Sequence, residues 1–402
     1  FYQSKKVLLV KPQTFMNLSG KAVWQVLDYY NDQIEEFIVV YDDMDTELGQ
    51  IRFKKKGSAT LAEKCYDAGE LLAIFLEQLL IEGENRIKGK EIPEEDGKDV
   101  LVLSVRDAEP EVMHSLKALL NKTFSDRYEI RLVSHAESFA HYILRQEKKL
   151  YNRLVGMFEF SSQVLYYYEM QVSKGSKKYA ISVGEAQPDA LSSGILENPI
   201  GRKMTDQVLS GVTDRITKAK VYSAFFLAGK GFENTELFPE FMKKLLRGRR
   251  VCVESFLFSI GALEYGKLIG KGEEEEYLLL CDTRISHEIS IKVSQKEREF
   301  PLYLAHAGDS WLEERKDVYL LLDNQDYIDF QVHKLSGSAR AKQYRMSLKE
   351  FPKRERRCTK VSLHTRFWGN ETAVIKLTDL GFGELWKGTY QSIEESIPLG
   401  KE

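Results

Sequence analysis

LVGMFEFSSQVLYYYEMQV, residues 154–172, decides how the middle of this chain folds. Two apolar runs flank Ser161-Ser162, and the spacing predicts a hairpin that reverses at those serines. Working downstream, KYAISVGEA (178–186) adds a strand and MTDQVLSGVTDRITKA (204–219) has the apolar period of a helix. SAFFLAGKGF (223–232) is a buried strand that ends in glycines. Helices near Leu237–Leu246 and Phe256–Tyr265 follow. Working upstream, VLVLSV is a buried strand, Pro110 opens a helix, EIRLVSH is another strand and ESFAHYILRQ another helix. Strands and helices alternate throughout, so the central region is expected to be α/β.

Composition sets few limits. A chain of 402 residues is expected to hold two or three domains. The formal net charge of −3 gives no global field for nucleic acid or an anionic membrane. Cys65, Cys252, Cys281 and Cys358 lie far apart and form no metal-ligand spacing. That pattern, with no apolar run of membrane-spanning length and no signal peptide, predicts a reduced, cytoplasmic protein without metal or membrane partners. Phe1 rather than Met opens the sequence, so a preceding segment is expected.

At the N-terminal end, KKVLLVK and EFIVVYDDMD read as buried strands on either side of a helix from Gly20 to Tyr30. In open α/β sheets ligands sit beyond the carboxyl ends of strands. Asn17, in KPQTFMNLSG (11–20), and the acids Asp42, Asp43 and Asp45 all follow strands at that edge. KPQTFMNLSGKAV followed by VVYDDMDTELGQIRFKKKGSA resembles bacterial peptidyl-tRNA hydrolase, over about residues 5–59. The resemblance implies cleavage of the ester between a peptide and tRNA, without a cofactor. It gives Asn17 a catalytic, substrate-orienting role and makes Asp42 the aspartate that orients the catalytic histidine. Tyr41 stands where that motif often has histidine. Ester hydrolysis at neutral pH needs a general base, and no histidine precedes His114. The Gly-Gly-His-Asn-Gly loop that follows G-S-A in that family is not found after Gly57-Ser58-Ala59. The segment is therefore expected to be catalytically incomplete. Lys54–Lys56 are read as a solvated strand end rather than as phosphate contacts.

After Ala59 the character changes. Asp67 and Glu70 form a capping pair ahead of a helix with the stripe Leu71, Leu72, Phe75, Leu76, Leu79 and Leu80, and NRIKGKEIPEEDGKD is a polar loop. About residues 66–395 resemble the actin/Hsp70-like ATPases, and more narrowly an uncharacterised bacterial family of Hsp70-like proteins. SHAESFAHYILRQ, VGMFEFSSQVLYYYEM and FFLAGKGFENTELFPEFMKKLL…SIGALEYG carry that resemblance. It implies ATP and Mg²⁺ as ligands. The first phosphate loop of such proteins is not found, and Glu159-Phe160-Ser161 stands where the second has Asp-x-Gly. Glu159, Ser161, Gly229 and Gly231 are the candidate nucleotide contacts. Gly229 and Gly231 fit equally a plain strand-to-helix turn. His135, Glu137, Ser138 and His141 suggest an acid–base cluster, but no nucleophile accompanies them, which favours capping and packing.

GEEEE (272–276) reads as a solvated linker, and from about 277 onward short apolar runs alternate with polar turns. EYLLLCD is the first of them. They predict an antiparallel β-sandwich, which the Hsp70-like resemblance makes a protein- or peptide-binding domain. PKRERR (352–357) reads as an exposed basic loop. The expected organisation is a partial hydrolase-like α/β segment at 1–60, a truncated actin/Hsp70-like region at 61–272 and a β-sandwich at 273–402. A single join near residues 58–66, of the kind left in a fragment, links the first two. Two functions follow: a peptidyl-tRNA hydrolase-like segment, or a degenerate Hsp70-like module that binds nucleotide or protein without turnover.

Overall fold

The computed structural model describes residues 68–87, 98–106, 108–161, 164–173, 178–187, 191, 193–296, 298–313, 315–323, 325–335 and 341–399. The strand–helix–strand expected over residues 5–53, with Asn17 and Asp42, lies outside the described residues. The chain divides into residues 1–96 and 97–402. In the first unit, helix α1 (Ala68–Ile87) carries the predicted stripe and runs through Asn85–Ile87, which the sequence placed in a loop. Arg86 closes its last turn and pairs with Glu82, four residues back.

The second unit opens with β1 (Asp99–Val105), α2 (Pro110–Phe124), β2 (Tyr128–Ser134) and α3 (His135–Leu144). The two strands are parallel, with Asp99 opposite Tyr128 and Val105 opposite Ser134, so α2 is the crossover between them. Pro110 starts α2 because its missing N–H falls where a helix has no acceptor to offer. Ser134 ends β2 and caps α3, accepting from the Glu137 amide at 3.0 Å.

A six-stranded sheet follows: β3 (Leu154–Phe160), β4 (Leu165–Val172), β5 (Tyr179–Ala186), β6 (Tyr222–Ala228), β7 (Arg250–Val253) and β8 (Leu278–Leu280), in the order β7-β6-β3-β4-β5-β8. β3, β4 and β5 form an antiparallel meander, whereas β6 lies parallel to β3 and β7 parallel to β6. Helices α4 (Pro199–Thr217), α5 (Pro239–Leu245) and α6 (Leu257–Gly270) connect the later strands. Successive residues of β3 serve opposite faces. Val155 and Met157 join a core with Phe139, Ile143 and Leu257 on the α3 side. Phe158 and Phe160 join Leu209, Phe232, Phe238, Phe241 and Leu245 on the α4 and α5 side. Apolar residues on both faces are what a covered, largely parallel sheet requires.

One expectation is corrected here. The run EYLLLCD was assigned to the C-terminal β region, yet β8 pairs in parallel with β5 and completes the central sheet. A short apolar run does not reveal its pairing partner, which lies about a hundred residues earlier in the chain.

The C-terminal part is antiparallel, as expected. β9 (His287–Gln295), β10 (Arg298–Ala305), β12 (Tyr327–Lys334) and β13 (Lys342–Ser347) form one sheet. β11 (Lys316–Leu322), β14 (Thr359–Phe367), β15 (Thr372–Phe382), β16 (Trp386–Lys387) and β17 (Ser392–Pro398) form the other. Buried and outward positions alternate along β12 and β14, so each sheet has one covered face.

Candidate functional site

β3, β5, β6, β7 and β8 all run in one direction, so their carboxyl ends share one edge of the sheet. Glu159 lies there, opposite Ala228 in the β3–β6 register. The structure places Glu159, Ser161, Gly229 and Gly231 at the ends of two adjacent strands. What each does there is set by its neighbours.

Glu159 is 4% exposed and fully engaged. Arg106, just past the end of β1, donates to Oε1 at 2.8 Å, and the Tyr168 hydroxyl donates to Oε2 at 2.9 Å. His135 Nδ1 is 3.4 Å from Oε2. Burial works to raise the carboxyl pKa, but His135 and the Arg106 guanidinium outweigh it and hold it at about 2. Arg106 also lies over the Tyr166 ring, 5.1 Å from its centre, and His135 stacks on Phe258 at 3.7 Å. The carboxylate is an internal counter-ion, and each of its oxygens already has an internal donor.

The turn residues are equally committed. The Ser161 amide and hydroxyl both reach the Val164 carbonyl, at 3.3 and 3.2 Å. Gly229 has φ +89°, and a Cβ there would lie 2.5 Å from the Phe160 carbonyl oxygen. A Cβ on Gly231 would lie 2.2 Å from the Phe160 ring. Glycine is needed at both positions because the turn after β6 closes over Phe160, whose ring meets Phe232 and Phe238.

Beside Arg106 a cavity of about 420 Å³ opens between this edge, the start of α2 and the turn joining β14 to β15. Tyr166, Tyr168 and Asp282 line it. Arg106 and Asp282 were missed in the sequence. Both follow strand ends, at VLVLSV and EYLLLCD, and the rule that pointed to Asn17 and Asp42 would have found them. Among the described residues no group of three or more His, Cys, Asp or Glu can hold a metal ion. Asn17 and Asp42 lie outside the described residues.

Asp282 gives a pH dependence. Burial, opposed by a hydrogen bond from Ser134, moves its pKa up from 3.8 to about 6. Folded protein thus holds this proton more tightly than unfolded chain. The stabilisation is complete below about pH 4 and is lost as pH rises through 6. Glu159 acts with the opposite sign, losing its contribution as pH falls from about 4.5 towards 2. Thermal unfolding of wild type and Asp282→Asn between pH 4 and 7 should therefore show wild type falling relative to the variant. Parallel curves would mean that Asp282 titrates normally.

The His135–Glu137–Ser138–His141 group resolves into packing. Glu137 faces Arg284 and His141 stacks on Tyr265 at 4.7 Å. The basic loop is corrected in one position: Arg354 turns inward and makes a two-pronged contact with buried Asp379, at 2.6 and 2.7 Å. Asp379, burial notwithstanding, sits far below the usual carboxylate range because of Arg354 and nearby amides.

Comparison with known proteins divides the chain. A peptidyl-tRNA hydrolase family model matches residues 1–64, and a domain of unknown function (DUF8552) matches residues 284–399. Peptidyl-tRNA hydrolase of Staphylococcus epidermidis is 56% identical over 55 residues, covering 14% of this chain and 29% of that protein. That of Caldanaerobacter subterraneus is 52% identical over 58 residues, covering 14% and 31%. The chain thus spans about three tenths of the length of the curated relatives it matches. A crystal structure of a ROK family protein from Streptococcus pneumoniae, in complex with sucrose, is 10% identical with a TM-score of 0.31, covering 49% of this chain and 88% of that one. The model described as family of unknown function (DUF5716) C-terminal matches residues 39–282, more than half of the sequence, and the chain belongs to that family.

Proposed function

We propose that residues 97–402 form a binding module on an actin/Hsp70-like lobe and do not turn over ATP. The meander β3-β4-β5 followed by parallel β6 and β7 supports the lobe assignment. One observation carries the absence of turnover. At the edge where such a lobe takes phosphate and Mg²⁺, Glu159 is already bound by Arg106 and Tyr168, and Phe160 fills the space under the glycine turn. A carboxylate held by an internal guanidinium is a poor ligand for a hydrated cation. A bulky ring also keeps phosphate from the backbone amides. ATP and Mg²⁺ are accordingly not working cofactors here. The two antiparallel sheets, packed as a sandwich, are the part that binds a protein or peptide partner. The working division is a segment at 1–60, a lobe that runs through β8 to about residue 282 and the antiparallel sheets beyond it, in a cytoplasmic protein; no helix among the described residues is long and apolar enough to cross a membrane. Phosphate release with excess Mg-ATP tests the reading. Release at the buffer rate is expected, in wild type and in Glu159→Gln alike. Steady turnover that Glu159→Gln abolishes would overturn it.

A second reading rests on a different part of the chain. Residues 1–60 form a catalytically incomplete peptidyl-tRNA hydrolase segment, in which Asn17 binds and orients peptidyl-tRNA and Asp42 is placed to orient a base that the segment does not itself carry. The identity of 51–57% to curated hydrolases over 54–59 residues supports it. So does the motif KPQTFMNLSGKAV that contains Asn17.

A further inference from the structure

A second cavity, also of about 420 Å³, lies between α2, the segment after β10 and the strands β14, β15 and β17. Its chemistry differs from that of the sheet edge. Three fixed cations reach it, Arg315, Arg366 and Lys376, against one carboxylate, Glu394. Glu394 pairs with Arg366 at 3.1 Å, whereas Arg315 and Lys376 have no ion-pair partner among the described residues. The cavity therefore carries a net positive charge that nothing described in the fold neutralises.

Its remaining wall is flat and aromatic. His114 on α2 stacks on Trp368 at 4.9 Å and meets Trp311 edge-on at 5.5 Å. Trp311 is buried, but Trp368 is 45% exposed, an indole left open to whatever enters. The turn holds it there by design of its backbone. Gly369 has φ +76°, and a Cβ at that position would come within 2.9 Å of the Pro110 ring. His114 Nε2 is buried without a hydrogen-bond partner. Burial lowers the His114 pKa, and the charges of Arg315 and Arg366 push it further down against the Phe367 backbone bond that raises it. The imidazole thus reports the same positive field that a ligand would meet.

We propose that this cavity binds a small ligand with a flat ring and an anionic group. The ring would lie against Trp368, and a phosphate or carboxylate would meet Arg315, Arg366 and Lys376. The volume suits a molecule of mononucleotide size. Open indoles pair with rings, and guanidinium forks with planar or tetrahedral oxyanions. The inference does not rest on the reading of the sheet edge, although Trp368 lines both cavities.

Titration of the full chain, followed by calorimetry and tryptophan fluorescence, tests it with four probes. AMP carries ring and phosphate, 4-hydroxybenzoate ring and carboxylate, adenosine the ring alone and inorganic phosphate the charge alone. AMP or 4-hydroxybenzoate should bind at least about tenfold more tightly than adenosine or phosphate, since a charge-assisted contact and a stacked ring each contribute that much. Whichever of the two binds more tightly identifies the anionic group. Arg315→Gln and Arg366→Gln, at solvent-facing positions that spare the fold, should each weaken that binding by about tenfold. Trp368→Leu should weaken it and remove the fluorescence change. Failure of all four probes, or binding that both arginine variants leave unchanged, would overturn the proposal. The second result would place the ligand elsewhere, including at the sheet edge.

Discussion

Incubated with a model peptidyl-tRNA, this chain should release free tRNA at close to the uncatalysed rate, and Asn17→Ala should change that rate little. The reason lies in which part of the chemistry residues 1–64 supply. Asn17 can orient a carbonyl or a water by hydrogen bonding, and Asp42 can orient a base. Neither is a base suited to neutral pH: an unperturbed aspartate has a pKa of about 4 and is a feeble proton acceptor at pH 7. The first histidine of the sequence is His114, beyond the matched segment. Loss of the general base alone removes on the order of 10²–10⁴ in rate. The segment also matches about three tenths of each curated hydrolase, so much of what positions the ester has no counterpart in it. A version extended at its N-terminus with a histidine-bearing hydrolase segment should regain rate, and Asn17→Ala should then lower it. Robust cleavage by the unextended chain, abolished by Asn17→Ala, would show that another group serves as base.

What could be read in the sequence was local. The hairpin around Ser161 followed from the two apolar runs that flank its turn, and the buried run at 223–228 from its unbroken apolarity. β13 and β17 are hard to see in the sequence because KQYRMS and SIEESIP carry few apolar residues, as befits strands with one wet face. β7 is only four residues long and begins with arginine. The site was half legible for a similar reason. Glu159 stands out because it replaces an expected aspartate within a recognisable hairpin. Its partner Arg106 lies 53 residues upstream, and no spacing rule joins the two. The bulk of Phe160 was visible in the sequence, but its packing against Gly231 requires a fold that brings β3 and β6 side by side.

A still longer connection gives the second large effect. Glu137 on α3 and Arg284, 147 residues later, form an ion pair in which both side chains are less than 10% exposed. Arg284 Nε donates to Glu137 at 2.6 Å, its Nη1 to the Gly308 carbonyl at 2.9 Å and its Nη2 to Glu275 at 2.9 Å. Thr283 adds a hydroxyl donor to Glu137, and the guanidinium lies 5.3 Å from the Tyr265 ring centre. Burial would raise the Glu137 pKa, yet Arg284 and His141 hold it at about 2, so the pair is charged at neutral pH. Removing one member leaves the other charged and without its main partner inside the fold. Arg284→Met and Glu137→Ala should each lose about 3–5 kcal/mol in urea unfolding at pH 7. Arg284→Met should regain stability as pH falls, because Glu137 can then fold as the neutral acid. Wild type does the reverse, losing the Glu137 contribution as pH drops from about 4.5 towards 2. The double variant Glu137→Leu/Arg284→Met buries no charge at this point and should recover most of the loss, as apolar replacements of buried pairs often do. Single variants that lose less than about 1 kcal/mol would mean that water reaches the pair and screens it like a surface contact. A double variant no more stable than the singles would mean that the shape of the two side chains, rather than their charge, ties α3 to the segment after β8.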